Sequence, residues 1–168
     1  IYQFFLNTTD EDVGRFLKIF TLMPMERISK VIETHNEKPQ LRYGQAVLAK
    51  EVTEMIHGTK KAEDAETISK ILFGNYDSND SKELVRLFSE ARILKKAKFN
   101  TDVVSLVSAL MQCSKGEAKR KVSQGSVYIG NDKVRIIENI TDLSQYLIDN
   151  EVLMLRVGKQ KCFVVQLL

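Results

Sequence analysis

The sequence predicts an α+β protein, in which an all-helical domain precedes a small domain of two helices and short antiparallel strands. Apolar residues recur at helical spacing up to about residue 74, whereas short alternating segments separated by glycine turns dominate the C-terminal part of the chain. The 168 residues suffice for one ordinary domain or two small ones. A hydrophobic content of 43% with 28% charged residues is typical of a globular chain.

The first helix is predicted in TDEDVGRFLKIF, over residues 9–20. Its apolar residues fall at positions i, i+3, i+4 and i+7 and form one stripe: Val13, Phe16, Leu17 and Phe20. Thr9 or Asp10 can cap its start, and the acidic residues that follow suit the positive end of the helix dipole. We expect the aromatic residues of this region to lie in the core: Phe4, Phe5, Phe16 and Phe20.

Three more helices are predicted before residue 75. MERISKVIETH follows Pro24, a third helix follows Pro39, and AEDAETISKILFG supplies the fourth. In the third helix, Val52 and Ile56 continue the apolar stripe, and Gly58 suits the left-handed position just past the helix end. Gly74 ends the fourth helix in the same way.

The segment after Gly74 predicts a change of domain. NYDSNDS has the composition of a turn or linker, SKELVRLFSEA predicts a short helix, and KKAKFNTD is a basic, polar passage. We therefore predict a helical domain over residues 1–80, a linker with a short helix over 81–100, and a second domain over 101–168.

The second domain begins with two predicted helices, TDVVSLVSALMQ and SKGEAKRKVSQ. SVYIG and KVRII then alternate around GND, which predicts a β-hairpin with a three-residue turn and a glycine at the position that permits positive φ. VLMLRVG and KCFVVQLL form a second pair of strands around a basic turn. The result is a compact α+β module of about 65 residues, within the size range of a small domain.

Positive charge is concentrated in this second domain. The net charge of the chain is only +3, but residues 114–135 contain six basic residues against two acidic ones, a net of +4. RVGKQK, residues 156–161, adds three more, so the remainder of the chain carries −4. This segregation is what a polyanion-binding surface requires.

The helix that begins at Ser114 is the centre of this basic region. Ser114 and Glu117 form an S-x-x-E capping box, and Ala118 with Val122 would face the core. Gly125 then returns the chain into the hairpin. The candidate polyanion-binding residues are Lys115, Lys119, Arg120, Lys121, Lys133, Arg135, Arg156, Lys159 and Lys161. A solvated amphipathic helix explains the first four equally well, but the second basic turn favours binding, because the last strands could bring it alongside.

The sequence predicts no catalytic, cofactor-binding or metal-binding residue. It contains no P-loop, GxGxxG, GxSxG or paired-carboxylate motif. His35 is expected at the surface and His57 at a helix end, without ligands at metal spacing. Cys113 is expected to be a small buried residue, and no disulfide framework is predicted. No apolar segment is long enough to span a bilayer, so no membrane partner is predicted.

Two motifs resemble known families. SKGEAKRKVSQGSVYIGNDKV resembles the signature of the RNA-binding domain named after ribosomal small-subunit protein S-four, which several RNA-binding families share. YQFFLNTTDEDVGRFLKIFTLMP, RYGQAVLAKEVTEMIHG and the ISKILFG run resemble the helical anticodon-binding domain of bacterial-type tyrosyl-tRNA synthetases. The two parts stand in the order that this family uses, and the resemblance covers essentially the whole chain.

The resemblance implies a tRNA-binding C-terminal half whose partner is the tRNA for tyrosine. The family's HIGH-like and KMSKS-like motifs do not occur here, so this segment is expected to be inactive alone. The full-length protein would use ATP and L-tyrosine and form a homodimer through the catalytic domain, while the segment would be a monomer. The differences from the motifs of bacterial members imply that the full-length protein is in the mitochondrial matrix, with the bacterial cytoplasm as the alternative.

The resemblance also implies roles for residues. The helical domain would face the anticodon; no contact is assigned, and exposed polar residues such as Asp10, Asp12 and Arg42 are the candidates. The second domain would hold the long variable arm, through Lys115, Lys119 and Arg120 in the helix and Arg156, Lys159 and Lys161 in the final turn. Bacterial members commonly have R-R-G-K-K-K there, whereas Val157 and Gln160 replace two of those cations here. Weaker and less salt-sensitive binding is therefore expected.

Two other functions remain open from the sequence. One is an RNA-modifying or ribosome-associated protein that contains the same small RNA-binding domain; the helical half argues against it. The other is a protein-binding fragment with a structural role, which the segregated charge disfavours.

Overall fold

In the computed structural model, which describes residues 1–74, 76–159 and 161–168, helices occupy the first half of the chain and a sheet with three helices the second. The predicted α+β class and the order of its parts are confirmed. The chain consists of two compact units, Ile1–Ser69 and Lys70–Leu168. The boundary falls within the helix Thr59–Leu72, so the last residues of that helix belong to the second unit. Residues 81–100 also belong to the second unit, and the boundaries expected at residues 80 and 100 stay a prediction.

The first unit is built from helices joined by short connections. They are α1 (Tyr2–Leu6), α2 (Asp10–Phe20), α3 (Met25–Glu37), α4 (Tyr43–His57) and α5 (Thr59–Leu72), with a 3-10 turn at Pro39–Leu41. The Thr9 side chain caps α2 by accepting a hydrogen bond from the Asp12 N–H at 3.2 Å, as expected. Gly58 follows α4 with a φ of 85°, which favours glycine. The sequence did not predict α1.

Helix α4 lies at the centre of the first unit and contacts α1, α2 and α3. Its Leu48, Ala49 and Val52 are buried in the core. The other buried apolar residues are Tyr2, Phe5, Val13, Leu17, Met23, Ile28 and Val31. Burial, with a smaller contribution from the Glu66 carboxylate, raises the pKa of Tyr2 to about 12.

Three expectations for the first unit are wrong. His35, expected at the surface, is 1% exposed, because it faces Gly44 of α4, whose missing side chain makes room for the imidazole. Ile56 is 53% exposed, since α4 buries its apolar residues only as far as Thr53. Of the four phenylalanines expected in the core, Phe4 is 70% exposed and Phe20 is 41% exposed, although Phe5 is buried.

The second unit alternates helices and short strands. Its elements after α5 are α6 (Ser81–Glu90), β1 (Lys95–Ala97), α7 (Val103–Met111), α8 (Lys115–Ser123), β2 (Val127–Ile129), β3 (Val134–Ile136), β4 (Val152–Val157) and β5 (Lys161–Leu167), with a 3-10 turn at Ser144–Tyr146. The predicted hairpin is present. Four residues, 130–133, rather than the expected three separate its strands, because Lys133 joins the turn with a φ of 51°, while Gly130 has a φ of 77°.

The strands form one sheet in the order β1-β5-β4-β2-β3. All neighbours are antiparallel except β1, which runs parallel to β5, with Lys95 opposite Val165. The strand β1 lies in the passage that sequence reasoning treated as polar linker. Helices α7 and α8 pack on one face of the sheet, where Leu153, Leu155 and Val127 contribute to the core.

Both faces of the sheet are covered in part. The residues of β4 that alternate with the core set, Val152 and Met154, are also buried, and α6 packs against β4 and β5. Leu84, Leu87 and Phe88 of α6 are each at most 2% exposed. Helix α6 therefore covers the second face beside β4 and β5, so residues 81–90 are part of the packed unit.

Candidate nucleic-acid interface

Helix α8 carries cations on a firmly anchored frame. Its predicted inward residues, Ala118 and Val122, are both buried in the core of the second unit. The Ser114 hydroxyl accepts a hydrogen bond from the Glu117 N–H at 3.1 Å, which fixes the first turn as the capping motif predicts. The opposite side of the helix must therefore face solvent.

The cations of α8 differ in how free they are. Lys115, Lys119 and Arg120 are exposed, and no carboxylate of the described residues lies within salt-bridge distance of them. Lys121 is half-buried, and its Nζ lies 3.8 Å from the Glu117 carboxylate one turn earlier. Three cations of α8 are thus available to an anionic partner, and the fourth is partly neutralised.

The turn between β4 and β5 lies beside the end of α8. Val127 of β2 pairs with Val157 of β4, and the Gly158 N–H donates to the Ser126 carbonyl at 2.7 Å. The Ser126 hydroxyl in turn donates to the Lys121 carbonyl in the last turn of α8, also at 2.7 Å. The structure therefore brings the two basic segments of the sequence together.

Lys159 and Lys161 carry the available charge of this turn. Both are exposed. Val157, which stands where the resemblance implies a cation, is 5% exposed and packs in the core, so its side chain adds to folding. Gln160 lies outside the described residues, as does Asn75 of the NYDSNDS segment.

Arg156 and Lys133 have partners within the protein. The Arg156 guanidinium donates to the Ile71 carbonyl at 3.0 Å and the Leu72 carbonyl at 3.1 Å, at the end of α5. Lys133 Nζ donates to the Gly74 carbonyl at 3.2 Å. Carbonyls at a helix end carry partial negative charge and attract cations. These two candidates are therefore engaged in the fold.

Cys162 of β5 is the neighbour of Arg156 on β4, and the pKa of its thiol depends on the nearby cations. The two residues are direct partners in the β4–β5 register. Burial raises the pKa of the Cys162 thiol, and the nearby charges of Arg156 and Lys133 oppose that rise. The reactivity of this thiol therefore reports on the charges of Arg156 and Lys133.

Arg135 is exposed and lies over an aromatic ring. Its guanidinium carbon lies 5.5 Å from the centroid of the Tyr128 ring, and its terminal nitrogen donates to the Tyr128 hydroxyl at 3.1 Å. Tyr128 is not among the candidate binding residues predicted from the sequence. The signal that could have found it is its place directly opposite Arg135 in the hairpin.

The candidate anticodon residues of the first unit have intramolecular partners too. Asp10 accepts from the Gln45 amide at 2.7 Å and lies 3.1 Å from His35 Nε2. The Arg42 guanidinium donates to the carbonyls of Leu6 and Thr8. Asp12 accepts from the Thr9 hydroxyl at the start of α2. The contacts of Asp10 and Arg42 join segments distant in the sequence, that of Asp12 is local to the start of α2, and none of them identifies an RNA contact.

Other kinds of site are not evident in residues 1–74, 76–159 and 161–168. No group of three or more histidine, cysteine, aspartate or glutamate side chains there could hold a metal ion. None of the helices in this described part is both long and apolar enough to cross a bilayer.

Lys95 and Lys96 are exposed in β1, at the opposite edge of the sheet from the β2–β3 hairpin.

Comparisons with known proteins agree with the motifs. A family model described as tRNA synthetases class I (W and Y) matches residues 1–74. The mitochondrial tyrosine--tRNA ligase of Saccharomyces cerevisiae is 49% identical over 168 residues, which is 99% of this chain and 34% of that protein. The tyrosine--tRNA ligase of Staphylococcus epidermidis is 37% identical over 166 residues, 98% of this chain and 39% of that protein.

A solved structure is similar over a shorter stretch. A C-terminally truncated mitochondrial tyrosyl-tRNA synthetase of Aspergillus nidulans is 43% identical, with a TM-score of 0.42, over 43% of this chain and 21% of that one. The resemblance stated from the motifs is confirmed by the curated relatives. The chain spans 34% to 39% of the length of those relatives.

Proposed function

The chain is homologous over nearly its whole length to mitochondrial and bacterial tyrosyl-tRNA synthetases, and on that premise we propose that it is the tRNA-binding portion of such an enzyme. The second unit would hold the long variable arm of the tyrosine tRNA, and the helical unit would bind near the anticodon. The full-length protein would join tyrosine to this tRNA with ATP.

The observation that carries the proposal is the exposed cation surface of the second unit. We call it the α8–turn surface and define it as Lys115, Lys119, Arg120, Lys159 and Lys161. These five side chains are exposed, and no carboxylate of the described residues pairs with them. Cations without internal partners can neutralise RNA phosphates and release the counterions condensed there, which drives binding.

The architecture supports this use of the surface. The last turn of α8 and the β4–β5 turn are joined through Ser126, so their cations are presented by a hydrogen-bonded frame. A fixed frame favours recognition of the shape of a folded RNA, because little ordering is needed on binding. The variable arm is a double-stranded element of the kind that proteins recognise by shape and phosphates.

The rest of the enzyme would supply the chemistry. In this proposal ATP and L-tyrosine are bound outside these 168 residues, and homodimer formation also involves that other part. The similarity to the yeast mitochondrial ligase supports the mitochondrial matrix as the location. An RNA-modifying or ribosome-associated protein is the alternative, but the curated similarity includes the helical half as well as the small domain.

The test is the affinity of the chain for a transcript of tyrosine tRNA. We expect Lys119→Ala with Arg120→Ala to weaken binding at least tenfold, since two phosphate contacts are lost. The matched control is Lys95→Ala with Lys96→Ala, which removes two exposed cations of the same unit at the far edge of the sheet. The control should bind as the unmodified chain does.

Two results would contradict the proposal. One is an unchanged dissociation constant for the Lys119 and Arg120 variant at about 0.1 M salt, where the Debye length is still about 10 Å. The other is equal affinity for tyrosine tRNA and for a tRNA without a long variable arm. Circular dichroism of the variants establishes that they are folded.

A further inference from the structure

The outer face of the sheet, opposite α7 and α8, carries a row of side chains that crosses four strands. Arg135 of β3 pairs with Tyr128 of β2, Tyr128 pairs with Arg156 of β4, and Arg156 pairs with Cys162 of β5. Direct cross-strand partners point to the same face. The two arginines therefore stand on either side of Tyr128 in the register, but only Arg135 is exposed.

The Arg135 guanidinium is held in place by its contact with Tyr128. Its carbon lies 5.5 Å from the ring centroid, and one nitrogen donates to the tyrosine hydroxyl at 3.1 Å. A guanidinium that lies over a ring and is hydrogen-bonded to its hydroxyl has fewer orientations open to it than a free one, and the rest of its surface stays available to a ligand. The side chain is thus oriented before any ligand arrives.

Gly125 fixes the other end of the Arg135 side chain. A Cβ atom at position 125 would lie 3.1 Å from Arg135 Cδ, so the arginine stem occupies the space that a side chain would need. The φ of Gly125 is 70°, which also favours glycine. The stem therefore lies against the backbone that joins α8 to β2.

Arg135 has no competing partner. Among the described residues no carboxylate lies within salt-bridge distance of it, whereas Arg156 donates to two carbonyls at the end of α5. An exposed guanidinium without a carboxylate partner can bind a phosphate, but its planar face can also lie against a flat π-system, which a lysine ammonium cannot do. Unpaired nucleobases are the flat π-systems that a bound RNA offers.

We propose that the Tyr128–Arg135 pair is a stacking site for an unpaired nucleobase of bound RNA. The inference rests on the proposed function, because it assumes that the second unit binds RNA. The pair adjoins the end of α8, since Arg135 packs against Gly125. It adds a contact of a different kind to the α8–turn surface, since stacking depends little on salt whereas phosphate contacts depend strongly on it.

The deciding variant is Arg135→Lys in the full 168-residue chain, since it keeps the charge and loses the plane. We expect its affinity for tyrosine tRNA to fall about 5- to 100-fold, the range for losing one stacked base. The slope of log Kd against log salt should stay as in the unmodified chain. Lys119→Ala is the control for a phosphate contact and should lower that slope by about 0.9.

A second measurement does not depend on the tRNA. A single-stranded RNA oligonucleotide that contains the fluorescent base 2-aminopurine should be quenched by the unmodified chain and not by Arg135→Lys. Tyr128→Phe, which keeps the ring and loses the hydroxyl, should retain most of the quenching. Equal affinity and equal quenching for Arg135→Lys and the unmodified chain would overturn the stacking site.

The two proposals fail differently. If Arg135→Lys binds tRNA normally while the Lys119 and Arg120 variant binds weakly, the stacking site is wrong and phosphate binding stands. If the Lys119 and Arg120 variant binds tRNA normally while Arg135→Lys abolishes quenching, the proposed function is wrong and a nucleobase site remains.

Discussion

Seven of the nine candidate cations of the second unit fall into two groups that the sequence does not separate. Arg156 and Lys133 donate hydrogen bonds to carbonyls at and just after the end of α5. Lys115, Lys119, Arg120, Lys159 and Lys161, the α8–turn surface, are exposed and have no carboxylate partner among the described residues. The first group interacts with backbone carbonyls of the protein itself, and the second is available to bind a partner. Charge counted along a sequence is therefore an upper limit on the charge available to RNA.

The largest expected effect is on stability and belongs to Arg156. Arg156→Ala leaves the Ile71 and Leu72 carbonyls without their charged donor, so we expect the free energy of unfolding to fall by about 2–3 kcal/mol. Arg156→Lys should recover part of the loss. Urea unfolding followed by circular dichroism measures both.

Lys159→Ala is the matched control and should change the free energy of unfolding by less than about 0.5 kcal/mol, as expected for an exposed position. An Arg156→Ala chain of normal stability that binds tRNA tenfold more weakly would place Arg156 in the binding group and break the comparison.

The next effect is on binding and belongs to the β4–β5 turn. Lys159→Ala with Lys161→Ala should weaken binding of tyrosine tRNA about tenfold and lower the salt slope by about 1.8, for two phosphates. Stability should be unchanged, since both side chains are exposed. Filter binding at several salt concentrations measures the slope, and an unchanged slope would show that the turn does not touch RNA.

The smallest effect uses Cys162 as a reporter. Because the Lys133 charge opposes the rise in the pKa of the Cys162 thiol, Lys133→Ala should raise that pKa further and reduce the thiolate fraction. Alkylation of Cys162 by iodoacetamide near pH 8 should then slow about twofold. Lys159→Ala should leave the rate as it was. A faster or unchanged reaction in Lys133→Ala would mean that Lys133 does not act on the thiol.

Local signals predicted most of the second unit. The S-x-x-E motif, Ala118 and Val122 specify α8 from neighbouring residues alone, and GND between alternating segments specifies the hairpin. Strand β1 could not be predicted in this way, because Lys95–Ala97 is a short polar segment that becomes a strand by pairing with β5. Its structure is decided by residues about 70 positions away in the register.

The candidate site shows the same limit. The sequence identifies the cations, and glycines at 125 and 158 indicate the turns that present them. It does not show that Arg156 meets residues 84 and 85 positions earlier, nor that Arg135 lies over Tyr128. In the first unit, the burial of His35 likewise depends on its contact with Gly44, which only the packing of α3 on α4 creates.

The most direct test of the α8–turn surface is the dissociation constant for tyrosine tRNA, measured over a range of salt for three chains. They are the unmodified chain, Lys119→Ala with Arg120→Ala, and the control with Lys95→Ala and Lys96→Ala. We predict at least tenfold weaker binding and a shallower salt dependence for the α8 variant, with the control unchanged. Equal weakening by both variants, or by neither, would contradict the assignment of RNA binding to this surface.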